Sequence, residues 1–144
     1  KLHGPDRGRR GGLASASIER DGVIVAALAV VNALGEIVDA DGEVLLGAVP
    51  GEDGPAPEIF PGNTTLVVVA TNAKLTKERA NLLAIAAHEG IDAAIRPAHT
   101  MWDGDTVFSL ATGEVEGEQK VVEEMAIAVV AHAIRTVADI RGGA

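Results

Sequence analysis

Three short segments carry side chains whose types and placement could support chemistry. Gly62-Asn63-Thr64 places a hydroxyl residue between a long polar linker and an apolar segment, where a backbone break would open the chain without disturbing a sheet. Residues 101–105 hold two carboxylates two positions apart around a glycine, where a strand is expected to begin. Asn32 ends another apolar segment, where its amide could donate hydrogen bonds into a pocket. Each segment also has a structural interpretation: a strand start for Thr64, and turns for the other two.

The composition of the chain limits its possible partners. The 144 residues are 47% hydrophobic and 2% aromatic, which is typical of a globular protein with an aliphatic core. The formal net charge of −9 would repel a phosphate backbone, so we expect no nucleic-acid partner. The longest apolar run, residues 23–31, is too short to span a bilayer, so we expect no membrane partner either. The absence of cysteine favours a cytoplasmic location.

Hydrophobic patterning predicts three strands and a linker. Residues 23–31 form a continuous apolar run, which predicts a strand buried on both faces. Residues 64–71 are rich in β-branched side chains and predict a second buried strand. Residues 105–111 alternate as a short strand, and residues 47–62 form a polar linker rich in proline and glycine.

Helical periodicity appears in two further segments. Thr76 is a candidate N-cap, and apolar residues recur at helical spacing after it until Pro97. Residues 118–140 predict a long second helix, with an apolar stripe on one side. The order of elements is therefore strand, loop, strand, helix, strand, helix, which indicates a mixed α/β (α+β) layered protein.

The four histidines do not form a metal-binding pattern. Their spacing is not that of metal ligands, and no cysteine accompanies them. We therefore expect neither a metal nor another cofactor.

Four segments together resemble a known family in order and spacing. They are GGLASAS, AVVNALG, GNTTLVVVATNAKL and IRPAHTMWDGDTVFSLATGE. The chain resembles the later portion of the L-aminopeptidase/D-esterase family of self-processing N-terminal-nucleophile hydrolases, most closely its nylon-oligomer hydrolase branch. This resemblance implies a four-layer α/β/β/α sandwich, of which the chain would be the later portion.

Members of that family cut themselves before a Ser or Thr, and the matching bond here is Asn63-Thr64. The resemblance thus implies that residues 1–63 are the end of a large subunit, closing with a flexible linker, and that residues 64–144 are the small subunit. After cleavage Thr64 would carry both a hydroxyl nucleophile and an α-amine. An α-amine has a reference pKa near 8, so it can accept the hydroxyl proton near neutral pH.

The same resemblance implies roles for four more residues. Asp103 and Asp105 would hold the amine and hydroxyl of Thr64, Asn32 would donate to the tetrahedral intermediate, and Lys1 would be an active-site lysine. Two carboxylates near an ammonium raise its pKa, which opposes its use as a base, so a compensating cation would help. A solvated terminal residue is the alternative for Lys1.

The function implied is an amidohydrolase acting on linear amides through an acyl-Thr intermediate. Its substrates would be nylon-type oligomers or amino-terminal peptide bonds. Its partners would be the remaining part of the large subunit and further copies in a homo-oligomer of heterodimers. Two alternatives remain open: an acyltransferase of the ornithine acetyltransferase type, and a non-catalytic structural domain.

Overall fold

Seven strands and two helices follow one another in this computed structural model, which describes residues 8–48 and 62–142. The strands are β1 (Gly12–Arg20), β2 (Val23–Asn32), β3 (Glu36–Val38), β4 (Val44–Leu46), β5 (Thr64–Ala73), β6 (Ile95–Arg96) and β7 (Thr106–Val115). The helices are α1 (Lys77–Ala94) and α2 (Gln119–Gly142).

The main sheet has four strands in the order β1-β2-β5-β7. The strands β1 and β2 form a hairpin, and its two turn residues, Asp21 and Gly22, both have positive φ (51° and 80°), as a type I′ turn requires. Next to this hairpin, β5 lies antiparallel to β2 and parallel to β7. A smaller sheet, β4-β3-β6, lies beyond the end of β2.

Both helices pack on one face of the main sheet and against each other. Thr76 caps α1 as predicted, because its hydroxyl accepts a hydrogen bond from the Arg79 N–H at 3.3 Å. A Cβ on Gly90 would lie 2.6 Å from the Ile127 carbonyl oxygen of α2, so glycine allows the close approach of the two helices. The predicted apolar positions of α1 are fully buried: Leu83, Ala87, Ile91 and Ala94.

The prediction that residues 23–31 form a strand buried on both faces is wrong within the described residues, and the predicted buried strand at residues 64–71 is likewise buried on one face only. Side chains of a strand alternate between the two faces of the sheet, and the described helices cover one face. Val25 and Val69 are buried under the helices, whereas Leu28 and Leu66 are exposed on the other side. The large apolar side chains of this open face are Leu13, Ile24, Leu28, Val30, Leu66, Phe108 and Leu110.

The structure also adds strands that the periodicity did not predict. The segment Gly12–Arg20 mixes serine, alanine and charged residues, and it forms a strand because it pairs with β2 along its whole length. The strands β3, β4 and β6 have only two or three residues each, too few to show a period. Of the predicted linker 47–62, residues 49–61 lie outside the described residues. Neither described helix is both long and apolar enough to cross a membrane.

Candidate active site

The peptide bond between Asn63 and Thr64 lies where β5 begins. Thr64 pairs with Asn32, the last residue of β2. The residue after Thr64, Thr65, is fully buried on the helix side of the sheet, so the half-buried Thr64 side chain points to the open face. The sheet thus presents a threonine hydroxyl and an asparagine amide side by side.

The carbonyl oxygen of Asn63 accepts two hydrogen bonds. The Thr64 hydroxyl donates to it at 2.6 Å, and the main-chain N–H of Gly104 donates to it at 2.8 Å. Asn63 itself is 3% exposed. A hydroxyl and a polarising N–H group therefore meet at the carbonyl of the predicted cleavage bond.

The parallel pairing of β5 and β7 brings the Asp-Gly-Asp segment to this bond. Leu66 pairs with Thr106, and an isolated parallel bridge joins Asn63 to Asp103. Gly104 lies so close that an added Cβ would be 2.9 Å from Thr64 Oγ1. The glycine of this segment is needed at that place because a side chain would collide with the hydroxyl.

Asp103 ties the loop before β7 to the end of β2. Its Oδ1 accepts a hydrogen bond from the Leu34 N–H at 3.2 Å. Its Oδ2 accepts from the N–H and the hydroxyl of Thr100, at 3.2 and 2.6 Å. The carboxylate therefore fixes the loop that carries Gly104.

Asp105 holds the second residue of β5. Its Oδ1 accepts a hydrogen bond from the Thr65 N–H at 2.7 Å, and its side chain is 4% exposed. Its Oδ2 lies 2.9 Å from His99 Nδ1 and accepts a weaker bond from the His99 N–H at 3.3 Å. The hydrogen bonds described for both aspartates thus go to residues around Thr64, and their predicted contacts with its amine and hydroxyl stay predictions.

Asn32 donates from Nδ2 to the carbonyl oxygen of Gly62 at 2.9 Å. The carbonyl that accepts from Asn32 is therefore one peptide unit before the Asn63 carbonyl, which accepts from the Gly104 N–H. Beside Asn32 opens a cleft of about 420 Å³, bordered by the arginines Arg9, Arg10 and Arg141. The predicted site residue Lys1 lies outside the described residues.

Two residues of this region, Gly104 and His99, had no individual role in the sequence-based prediction. Gly104 contributes a main-chain N–H, which has no signature in the letters. His99 has a φ of +51°, an uncommon conformation for a residue with a side chain and one in which His is enriched. Its position six residues before Asp105 follows no motif, so only the folded loop brings the two together.

His88 on α1 contacts the ring of His99, with ring centroids 5.1 Å apart and planes at 60°. Burial lowers the pKa of His88 below its usual value, and the nearby His99 lowers it further, while Asp105 acts in the opposite direction.

Within residues 8–48 and 62–142, no group of three His, Cys, Asp or Glu side chains is arranged to hold a metal ion.

Sequence comparison finds similarity to proteins named as aminopeptidases and as oligomer hydrolases. An uncharacterized aminopeptidase of Mycobacterium tuberculosis is 46% identical over 123 residues, covering 72% of this chain and 36% of that protein. A 6-aminohexanoate-oligomer endohydrolase of Paenarthrobacter ureafaciens is 31% identical over 110 residues, covering 65% of this chain and 31% of that protein. The chain thus spans about a third of the length of these curated relatives.

Structural comparison confirms the predicted fold class. A β-aminopeptidase of Burkholderia matches with a TM-score of 0.66 and 22% identity, over 89% of this chain and 41% of that one. The L-aminopeptidase D-Ala-esterase/amidase of Ochrobactrum anthropi, described as a variant of the Ntn hydrolase fold, matches with a TM-score of 0.64 and 19% identity, over 91% and 40%. The chain therefore shares an α+β fold with segments of Ntn-type hydrolases.

The family model of peptidase family S58 matches residues 7–140, which is nearly the whole chain. The resemblance to the L-aminopeptidase/D-esterase enzymes is thereby confirmed. The chain belongs to peptidase family S58.

Proposed function

We propose that the protein is a self-processing amide hydrolase. In the precursor, Thr64 would cleave the peptide bond before it, and in the mature enzyme it would be the nucleophile that attacks the substrate. The observation that carries this proposal is the pair of donors on the Asn63 carbonyl, the Thr64 hydroxyl at 2.6 Å and the Gly104 N–H at 2.8 Å. The hydroxyl thus contacts the carbonyl group whose carbon it would attack, and the Gly104 N–H is placed to stabilise the resulting oxyanion.

The self-cleavage step is an acyl shift followed by hydrolysis. Thr64 Oγ1 bonds to the Asn63 carbonyl carbon, the C–N bond breaks, and the hydroxyl proton ends on the Thr64 nitrogen as it becomes an amine. Water then hydrolyses the ester and leaves a carboxylate on Asn63. Residues 1–63 would end the large subunit, and residues 64–144 would form the small one.

In the mature enzyme the freed α-amine would act as the base for its own hydroxyl. An α-amine near pKa 8 is partly neutral at neutral pH and can take the proton as Oγ1 attacks a substrate amide. Asn32, which pairs with Thr64 and now donates to Gly62, would donate to the substrate oxyanion once the cut segment moves away. Asp103 and Asp105 would keep the surrounding backbone in place, and Lys1 would contribute a positive charge.

The names of the relatives support linear amides as substrates. One relative is named an aminopeptidase and another an endohydrolase of 6-aminohexanoate oligomers. We therefore propose amino-terminal peptide bonds or oligoamides as the substrate class. For the location we propose the cytoplasm, which the absence of cysteine favours.

The open face of the main sheet supports a partner for this chain. Seven large apolar side chains are exposed on this one face, and contiguous exposed apolar patches mark interaction sites. We propose that the remaining part of the large subunit packs on this face as a second sheet, and that such heterodimers associate further into a homo-oligomer.

The two adjacent threonines provide the test. In the full-length protein, Thr64→Val removes the hydroxyl on the open face, whereas Thr65→Val removes a buried hydroxyl that has no hydrogen-bond partner in the described chain. We expect Thr64→Val to stay uncut and inactive, Thr64→Ser to be cut, and Thr65→Val to be cut normally. Intact-mass measurement with amino-terminal sequencing reports the cut, and cleavage before residue 64 in Thr64→Val would refute the proposal.

A further inference from the structure

We propose that His99 is a positioning residue for the Thr64 site, holding Asp105 against the start of β5 and supplying the positive charge that offsets this carboxylate. The inference rests on the proposed function of Thr64 as nucleophile and base. It gives a role to a residue outside the predicted site, and it identifies a compensating cation within the described chain.

A continuous series of contacts leads from His99 to the nucleophile. His99 Nδ1 lies 2.9 Å from Asp105 Oδ2, and the other oxygen of the same carboxylate accepts the Thr65 N–H at 2.7 Å. Thr65 follows Thr64 directly, so a rotation of Asp105 would release the backbone at the nucleophile. The His99 ring at 2.9 Å from Oδ2, together with the longer hydrogen bond from the His99 main-chain N–H at 3.3 Å, opposes this rotation because both carboxylate oxygens are then occupied.

Both ring nitrogens of His99 face oxygen atoms. His99 Nδ1 faces a carboxylate, and Nε2 lies 3.3 Å from the main-chain carbonyl oxygen of His88. A neutral imidazole has one N–H and can donate to only one of these oxygens, whereas the doubly protonated ring donates to both. The two acceptors on opposite sides of the ring thus match an imidazolium paired with Asp105.

A charged His99 reduces the combined effect of the two aspartates on the pKa of the Thr64 amine. Two uncompensated carboxylates near the Thr64 amine would raise its pKa and keep it protonated. Pairing with His99 neutralises one of them, because the Asp105 side chain is 4% exposed and poorly screened by water. The other, Asp103, is bound by the N–H and hydroxyl of Thr100, which carry no charge.

The loop fixes His99 in place from several sides. Its main-chain N–H also donates to Asp105 Oδ2, and its ring lies edge-on against His88 of α1. The titratable groups that face His99 in the described chain are therefore Asp105 from its own loop and His88 from the helix. Burial lowers the pKa of His88, which favours its neutral form, so the carboxylate is the charge that His99 meets.

The experiment separates the position of His99 from its charge. His99→Ala removes both, whereas His99→Asn tolerates the left-handed backbone and can place an amide N–H where Nδ1 lies, without the charge. His132→Ala, at an exposed histidine of α2, is the control. In the full-length protein we measure the rate of self-cleavage and the pH profile of kcat/KM on an amino-terminal amide substrate.

We expect His99→Ala to slow self-cleavage by roughly 10- to 100-fold, since small displacements of a nucleophile have effects of that size. We expect its acid limb of kcat/KM to move up by about one pH unit, as the amine is held protonated by an unpaired Asp105. His99→Asn recovers most of the cleavage rate but keeps the shifted limb, and if His99→Ala does not fold, this limb alone decides the charge role.

Three results would overturn the inference: wild-type cleavage rates in both variants, an unmoved acid limb in His99→Asn, or the same changes in His132→Ala. These results differ from a failure of the proposed function. If Thr64 is not the nucleophile, Thr64→Val is cut and active regardless of His99. If only the present inference fails, Thr64→Val stays uncut while the His99 variants behave as the wild type.

Discussion

Replacing Gly104 with alanine tests the geometry of the cleavage bond most directly. The φ of Gly104 lies outside the left-handed region, so alanine adds no backbone strain, and its N–H can still reach the Asn63 carbonyl. The added Cβ would lie 2.9 Å from Thr64 Oγ1, but 3.8 Å from Asn63 O and 3.9 Å from Thr64 Cβ. The methyl group therefore collides with the hydroxyl alone.

The size of the effect follows from this one contact. Non-bonded heavy atoms pack best at about 3.5 Å or more, so the hydroxyl must move by about half an ångström or rotate away from the Asn63 carbonyl. Overpacking of this kind costs about 1–3 kcal/mol. If that cost falls on the reactive conformation, self-cleavage of Gly104→Ala slows by about 5- to 150-fold.

The assay follows the loss of uncut precursor with time by intact-mass measurement of the full-length protein. A stability comparison in two uncleavable backgrounds isolates the collision. In Thr64→Val a methyl group replaces the hydroxyl, and Gly104→Ala should cost about 1–3 kcal/mol in denaturant unfolding. In Thr64→Ala the obstructing atom is gone, and the same change should be neutral or stabilising by about 0.4–1 kcal/mol.

Two results would refute this reasoning. One is self-cleavage of Gly104→Ala at the wild-type rate. The other is an equal stability cost in the Thr64→Val and Thr64→Ala backgrounds, because a cost that ignores the side chain of residue 64 cannot come from the contact at 2.9 Å.

Three further predictions concern the neighbours of this bond. Asp105→Ala should slow self-cleavage by at least about 100-fold because it frees the start of β5. Asp39→Ala is the control, because Asp39 is a turn aspartate that also accepts main-chain N–H groups, and it should leave the cleavage rate unchanged. Equal cleavage rates in the two variants would contradict the role of Asp105 in holding β5. Asn32→Ala should lower substrate turnover by about 10²- to 10³-fold. It should spare self-cleavage, in which the Gly104 N–H is the donor to the oxyanion. Equal losses in both reactions would contradict this division of roles between Asn32 and Gly104. The lowered pKa of His88 means that the unfolded chain binds a proton more readily below pH 6.5, so stability should fall as the pH drops below that value. His88→Gln should flatten this dependence in urea unfolding, and an unchanged slope would exclude His88 as its source.

The helices were predictable because their signals are local. The N-cap hydroxyl of Thr76 and the spacing of Leu83, Ala87 and Ile91 are contained within one helix, and the structure keeps all of them. The strand Gly12–Arg20 was not predictable in this way, since its pattern is mixed and its partner β2 provides its hydrogen bonds. The apolar strands were found, but their second face is not covered by the described residues.

The site was predictable only as far as side-chain chemistry marks it. Thr64, Asn32 and the two aspartates have recognisable types and lie together in the fold. The Gly104 N–H and the pairing of His99 with Asp105 depend on strand register and on a loop with positive φ, neither of which is written in the residue types. Every residue except proline has a main-chain N–H, so the sequence does not show which one donates to the Asn63 carbonyl. That donor can be identified only once the register between β5 and β7 is known.

The direction of the Thr64 side chain links the site to the open face. Strand alternation places Thr64 on the same side as Leu66 and Val68, whose face of the sheet carries the exposed apolar side chains. If the remaining part of the large subunit packs on this face, as proposed above, it lies on the side of the sheet to which the Thr64 hydroxyl points. Under this proposal, a variant that weakens the packing on the exposed Leu66, such as Leu66→Asp in the full-length protein, should lower substrate turnover, and wild-type turnover in that variant would contradict the proposed contact.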